Sequence, residues 1–166
     1  LSTGFGIIVN QYIDGFYSRQ PFLAKVLPWK QIILGAIGVW SAFSKKHLPA
    51  EVAIESRGER KLIAYSLLVF LNIPYYANGL RLSADASPFD RKLDCCAVYT
   101  RSFGETFKTW RKISKGNLGS IHSIQSGSFK IHARQPLDIQ ADGKIITNLT
   151  DFEVTLLPQA LRVFVP

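Results

Sequence analysis

The 166-residue chain has no methionine, only two cysteines and no pair of adjacent glycines. The cysteines are neighbours, Cys95 and Cys96, so there is no CxxC or similar metal-ligand spacing. Adjacent residues on a strand point to opposite faces, which places the two thiols badly for a bond to each other. This predicts a reducing, cytoplasmic setting, with one thiol in the core and the other half-exposed. No G-x-S-x-G run is present, which removes the nucleophile elbow of Ser-His-Asp hydrolases. His47, His122 and His132 have no cysteine or acidic partner at ligand spacing and read as structural. The uncharged stretch over residues 31–44 is short of the roughly 20 apolar residues that span a bilayer. It also lies too far from the N-terminus for a signal peptide. There is no internal repeat and no low-complexity tract. The chain opens mid-pattern on Leu1-Ser2-Thr3-Gly4, as expected where an upstream domain is missing.

What is present suits one globular domain over residues 1–166. The hydrophobic fraction is 47% and the charged fraction 19%, within the range of folded domains. The formal net charge of +8 draws anionic partners: phosphates, nucleic acid or an acidic membrane surface.

Periodicity gives a mainly β chain with inserted helices. A strand, or a strand turning into a helix, is expected over residues 5–13. Residues 22–48 carry the clearest helical pattern, with Pro28 in the first turn, cations at the end and Pro49 as the stop. From Glu51 the period becomes two. A hairpin is predicted, turning at Arg57-Gly58-Glu59-Arg60 and returning as one strand over residues 61–71. Another strand follows at 93–99. A short amphipathic helix is expected over 103–113, with Ser102 and Glu105 as a capping box. Further strands are expected at 128–133, 137–141, 151–157 and 161–165. Short strands separated by turns point to a β-sandwich or open barrel.

Several segments then resemble one family. Asn72-Ile73-Pro74-Tyr75-Tyr76-Ala77-Asn78-Gly79-Leu80-Arg81-Leu82-Ser83-Ala84-Asp85-Ala86 is similar to N-G-R-Y-Y-G-G-G-hydrophobic-K-hydrophobic-A-P-x-A. Phe89-Asp90-Arg91-Lys92-Leu93-Asp94 resembles [DN]-D-G-x-L-[DQ], and Asp142-Gly143-Lys144 resembles D-G-E. Gly4-Phe5-Gly6-Ile7 resembles the entry G-x-G-hydrophobic, and residues 157–166 the closing L-P-x-A-L-R-V-x-V-P. The family is that of bacterial diacylglycerol kinases, YegS-type lipid kinases and, more loosely, sphingosine and ceramide kinases. The resemblance covers nearly the whole chain but only the family's C-terminal half, a β-sandwich like that of NAD kinases. The ATP-cradling G-G-D-G-T loop of the N-terminal half has no counterpart here.

By that resemblance Asp90, with backbone carbonyls of Ser87 and Lys92, would hold a structural Mg2+. Arg91 replaces the family glycine, and a turn aspartate is the other reading. Lys144 stands where the family has a glutamate that takes the proton from the lipid hydroxyl. Asp142 is the carboxylate that remains, and Asp142-Gly143 also reads as a hairpin turn. An extra loop residue is inferred near Asn148. Arg101, Lys108, Arg111, Lys112 and Lys115 flank Phe107 and Trp110, either at an anionic membrane surface or as a solvated helix face.

The resemblance thus implies the substrate-binding half of a lipid kinase. Its substrate would be diacylglycerol or a related lipid alcohol, with ATP as co-substrate only through the missing half. The chain alone should be inactive and without a nucleic-acid partner. A lipid-binding relative that has lost phosphotransfer is the alternative, and Lys144 pulls toward it.

Overall fold

The computed structural model describes residues 1–4, 7, 11, 49–76 and 79–160. The strand expected at 5–13, the helix at 22–48 and the strand at 161–165 lie largely or wholly outside these residues. The described strands are β1 (Ser2–Gly4), β2 (Ala50–Ser56), β3 (Glu59–Tyr65), β4 (Leu67–Leu71), β5 (Tyr75–Tyr76), β6 (Leu80–Arg81), β7 (Leu93–Val98), β8 (Ile121–Ser126), β9 (Ser128–Ala141) and β10 (Lys144–Thr155). The described helix is α1 (Phe103–Ser114). One antiparallel sheet runs β3-β2-β9-β1-β4-β7-β8, with β10 on the other side of β9; β5 and β6 form a separate ribbon.

Two corners fold this sheet onto itself, as strands do when they switch layers at bends or bulges. At Ser66 the chain leaves β3, at the sheet's edge, and enters β4, in its middle. Ile63 and Tyr65 face the inner core, and so do Leu68 and Phe70. The parity of the alternation therefore shifts by one residue at Ser66, which splits the single strand expected over 61–71. The second corner lies on β9. Residues 130–133 pair with β2, whereas Ile139 and Gln140 pair with β1. The exposed Arg134-Gln135-Pro136 stretch between them spans the corner, and β10 follows it with register shifts around Leu149. The two expected strands at 128–133 and 137–141 are thus one bent strand. Asn148 takes φ 60° at this irregularity, where the extra loop residue was inferred.

Between the layers, Val52, Ile54, Ile63, Tyr65, Phe129 and Ile131 of the first layer meet Leu68, Phe70, Leu93, Cys95 and Ala97 of the second. The Phe70 and Phe129 rings lie 5.4 Å apart and tilted, a favourable aromatic geometry. A second core covers the outer side of β4 and β7: Leu67, Val69, Leu71, Cys96 and Val98 pack under Leu80, Leu82 and Ile113. These two strands are buried on both faces, which is why their sequences run apolar rather than alternate. It also corrects the expectation of one half-exposed thiol. Cys95 lies in the inner core and Cys96 in the outer one, both buried and free. Burial pushes the Cys95 thiol up strongly, and the Cys96 thiol up to about 11.

The outer face of the first layer is solvated and charge-balanced. One row across it reads Arg60, Glu55, Lys130, Glu153, alternating in sign. The next row holds Leu62, Ala53, His132 and Asp151. There His132 Nδ1 lies 2.6 Å from Asp151 Oδ1. His132 therefore does have an acidic partner, brought by sheet register rather than by sequence spacing. That bond holds the Asp151 carboxyl below its usual range.

Candidate functional site

One hairpin tip and one loop carry the residues singled out by sequence. Asp142 (φ 46°) and Gly143 (φ 85°) form the two-residue turn between Ala141 and Lys144. Positive φ at both central positions is the mirror-image turn that matches strand twist, and it favours an Asp-Gly pair. All three residues from Asp142 to Lys144 are exposed.

Ser87, Asp90 and Lys92 lie on the loop that enters β7. Asp90 Oδ1 accepts the Lys92 amide N–H at 2.9 Å, and Ser87 Oγ accepts that of Phe89 at 3.3 Å. No ion pair joins Asp90 to Arg91 among the described residues. Arg91 has φ 59°, which explains the family preference for glycine at this position. The remaining Asp90 oxygen is the side-chain donor on offer, and no cluster of three His, Cys, Asp or Glu is present among the described residues. One carboxylate oxygen could serve only a Mg2+ that keeps most of its water, not a protein cage.

The two groups sit at the same end of the second layer, because β4 ends, β7 begins and β9 ends there. They are not in contact. β9 reaches β7 through β1 and β4, three strand spacings of about 4.8 Å each, or roughly 14 Å along the sheet.

A cleft of about 500 Å³ opens between the β2–β3 hairpin and β8. Ile124 and the buried Ile54 lie at its base; Arg57, Lys61 and Lys92 set cations beside Glu59 and Asp85 in an otherwise polar lining. The volume lies in the range of small-molecule sites.

Ser83 and Asp94 lie within the family-like motifs, with no role predicted for either from the sequence. Asp94 is 1% exposed on the outer side of β7. Its Oδ1 accepts the Ser83 hydroxyl at 2.8 Å, and Gln125 Nε2 donates to both carboxylate oxygens at 3.3 Å. Ser83 Oγ in turn accepts the amides of Asp85 and Ala86. Arg81 donates to the carbonyls of Ser83 and Ala84. The turn that leads into the Asp90 loop is thus held from inside the fold. The available signal was an acidic residue inside an otherwise apolar strand. Asp94→Ala leaves the Ser83 hydroxyl and the Gln125 amide without this partner, and each such group costs about 1–3 kcal/mol. The expected loss is about 2–5 kcal/mol in urea unfolding, with Asp94→Asn recovering most of it. Equal stability of Asp94→Ala and the parent would show that the network holds nothing.

The comparisons with known proteins fit this geometry. A diacylglycerol kinase structure from Bacillus anthracis str. Sterne, provisionally assigned as such, shares 19% identity and superposes with a TM-score of 0.55. The match covers 76% of this chain and 42% of that one. A second such structure from the same organism shares 20% identity at a TM-score of 0.51, over 65% of this chain and 37% of the other. The chain therefore spans about two-fifths of the length of the solved structures it matches. At these identities the likeness is one of fold. No curated protein matches the chain. The YegS C-terminal NAD kinase beta sandwich-like domain matches residues 3–165, all but three positions of the sequence. The chain belongs to that family, the diacylglycerol kinase-like β-sandwich domains of YegS type.

Proposed function

We propose that the chain is the lipid-binding half of a diacylglycerol kinase-like lipid kinase, acting with a nucleotide-binding half that holds ATP. In the reaction a lipid hydroxyl oxygen attacks the γ-phosphorus of ATP, ADP leaves, and the hydroxyl proton passes to a base. The single observation that carries this reading is the family match over nearly the whole chain. The cleft adds a place where cations at the rim suit an anionic lipid headgroup, although Lys144 does not line it. Asp90 with the carbonyls of Ser87 and Lys92 would hold Mg2+, whose charge would steady the loop beside that rim. Lys144 favours a second reading, a lipid-binding relative that has lost phosphotransfer, since an ammonium offers donors and no acceptor.

On either reading the 166-residue chain alone transfers no phosphate. The sequence lacks a Gly-rich loop to cradle the nucleotide. Incubation with γ-labelled ATP, Mg2+ and diacylglycerol in mixed micelles is expected to give no labelled phosphatidic acid above the blank. Labelled product from this chain would refute the division of labour.

A further inference from the structure

α1 is held to the fold by one narrow stripe. Thr106 and Ile113 are buried, Phe103 and Thr109 half-buried. Thr106 Oγ1 lies 2.8 Å from Thr100 Oγ1, and Thr100 donates its amide to Ser66 Oγ at 3.0 Å, so the helix is anchored at the Ser66 corner. Ser102 Oγ caps it by accepting the Glu105 amide at 3.3 Å. Glu105 returns its carboxylate to the Arg101 amide at 2.7 Å, one residue earlier than the expected capping box.

The rest of the helix surface is divided into two sectors. Phe107 is 61% exposed; Trp110, 42% exposed, turns its inner edge toward Leu80 and Leu82 and leaves its outer edge free. Three positions apart, they stand about 60° from each other on the helix wheel. Lys108, Arg111, Lys112 and Lys115 fan out over the next roughly 100°. Exposed Tyr99 adjoins them and accepts a hydrogen bond from Arg101 Nε at 3.0 Å. From Tyr99 to Gly116 there are five cations and one carboxylate, Glu105. This differs in kind from the outer face of the first layer, where each cation stands beside a carboxylate.

We propose that α1 is a membrane-docking element that lies on an anionic bilayer, with Phe107 and Trp110 at the headgroup–acyl boundary and the lysine and arginine fan on the phosphates. An aromatic stripe beside a basic sector is the pattern of interfacial helices. The unbalanced charge selects anionic lipid rather than neutral lipid or a mixed-charge protein surface. No helix among the described residues is long and apolar enough to cross a membrane, so α1 would lie on the surface.

The test is flotation of the 166-residue chain with vesicles of phosphatidylcholine alone or with 30% phosphatidylglycerol. No diacylglycerol or ATP is present, so failure here is separate from failure of the kinase reading. Binding is expected only to the anionic vesicles and should fall as salt rises. Each lysine removed should weaken it about fivefold, so Lys108→Ala with Lys112→Ala should cost about 25-fold. Phe107→Ala should weaken it further, with an unchanged circular dichroism spectrum. Arg60→Ala with Lys130→Ala removes the same charge elsewhere and should bind as the parent does. The proposal is overturned if the chain ignores anionic vesicles, if the α1 variants bind like the parent, or if the control pair loses as much as they do.

Discussion

Lys144→Glu is expected to raise phosphotransfer to a lipid alcohol by about 100-fold or more when this chain is joined to a nucleotide-binding half. A positioned base typically contributes about 100–10,000-fold, and a protonated lysine cannot accept the hydroxyl proton. The structure makes the substitution a clean one. Lys144 is exposed, it is the first residue of β10, and its backbone pairs with Ala141, so glutamate needs no repacking. The turn before it is held by the backbone of Asp142 and Gly143 and does not depend on the side chain at 144. Initial rates with labelled ATP and diacylglycerol measure the effect. A parent protein already at full rate would mean that another group, such as Asp142, serves as base. A variant that stays inactive would favour the binding relative.

Gly4→Ala should be among the most destabilising single changes in the chain. A Cβ on Gly4 would lie 2.2 Å from the Ser66 carbonyl oxygen and 3.0 Å from its carbon, at φ +97°. Ser66 cannot yield, since its amide bonds the Val98 carbonyl and its hydroxyl bonds the Thr100 carbonyl. The close approach exists because the chain turns from one layer to the other at Ser66, and β1 runs directly against that corner. This gives a physical reason for the first glycine of the family's entry motif. The expected cost is about 3 kcal/mol or more, a backbone clash added to left-handed strain. Gly143→Ala is the control: φ is +85° but nothing lies within 4 Å of the added carbon, so about 1 kcal/mol is expected. Urea midpoints of the two variants give the comparison, and similar losses would mean that the corner is loose.

Local chemistry explains what could be read from the sequence. The Arg57-Gly58 and Asp142-Gly143 turns, the capped helix after Ser102 and the antiparallel strands all follow from contacts within a few residues. The β-sandwich was legible from the spacing of short strands and from the family resemblance rather than from local contacts. The features that escaped depend on contacts far apart in the chain. The parity shift at Ser66 follows from the layer change, and no local signal marks it. The bend of β9 depends on two different partners at its two ends. His132 and Asp151 meet through register, 19 positions apart. Cys96 is buried because α1 and the β5–β6 ribbon cover a face that a two-layer reading leaves open. Asp94 could be seen as acidic in an apolar strand, but its partners Ser83 and Gln125 come from a turn and a neighbouring strand. For the candidate site, the sequence named the residues on the hairpin tip and the loop and missed the cleft between the layers.

The central claim is that this domain binds a lipid alcohol without needing nucleotide. Equilibrium binding of labelled dioctanoylglycerol to the 166-residue chain tests it most directly. The account predicts saturable binding that unlabelled diacylglycerol competes away and ATP does not. It also predicts at least about tenfold weaker binding in Ser56→Trp, where a large side chain on the same face of β2 as Ile54 fills the cleft. Labelled lipid that associates without saturation, or equally with the parent and Ser56→Trp, would contradict it.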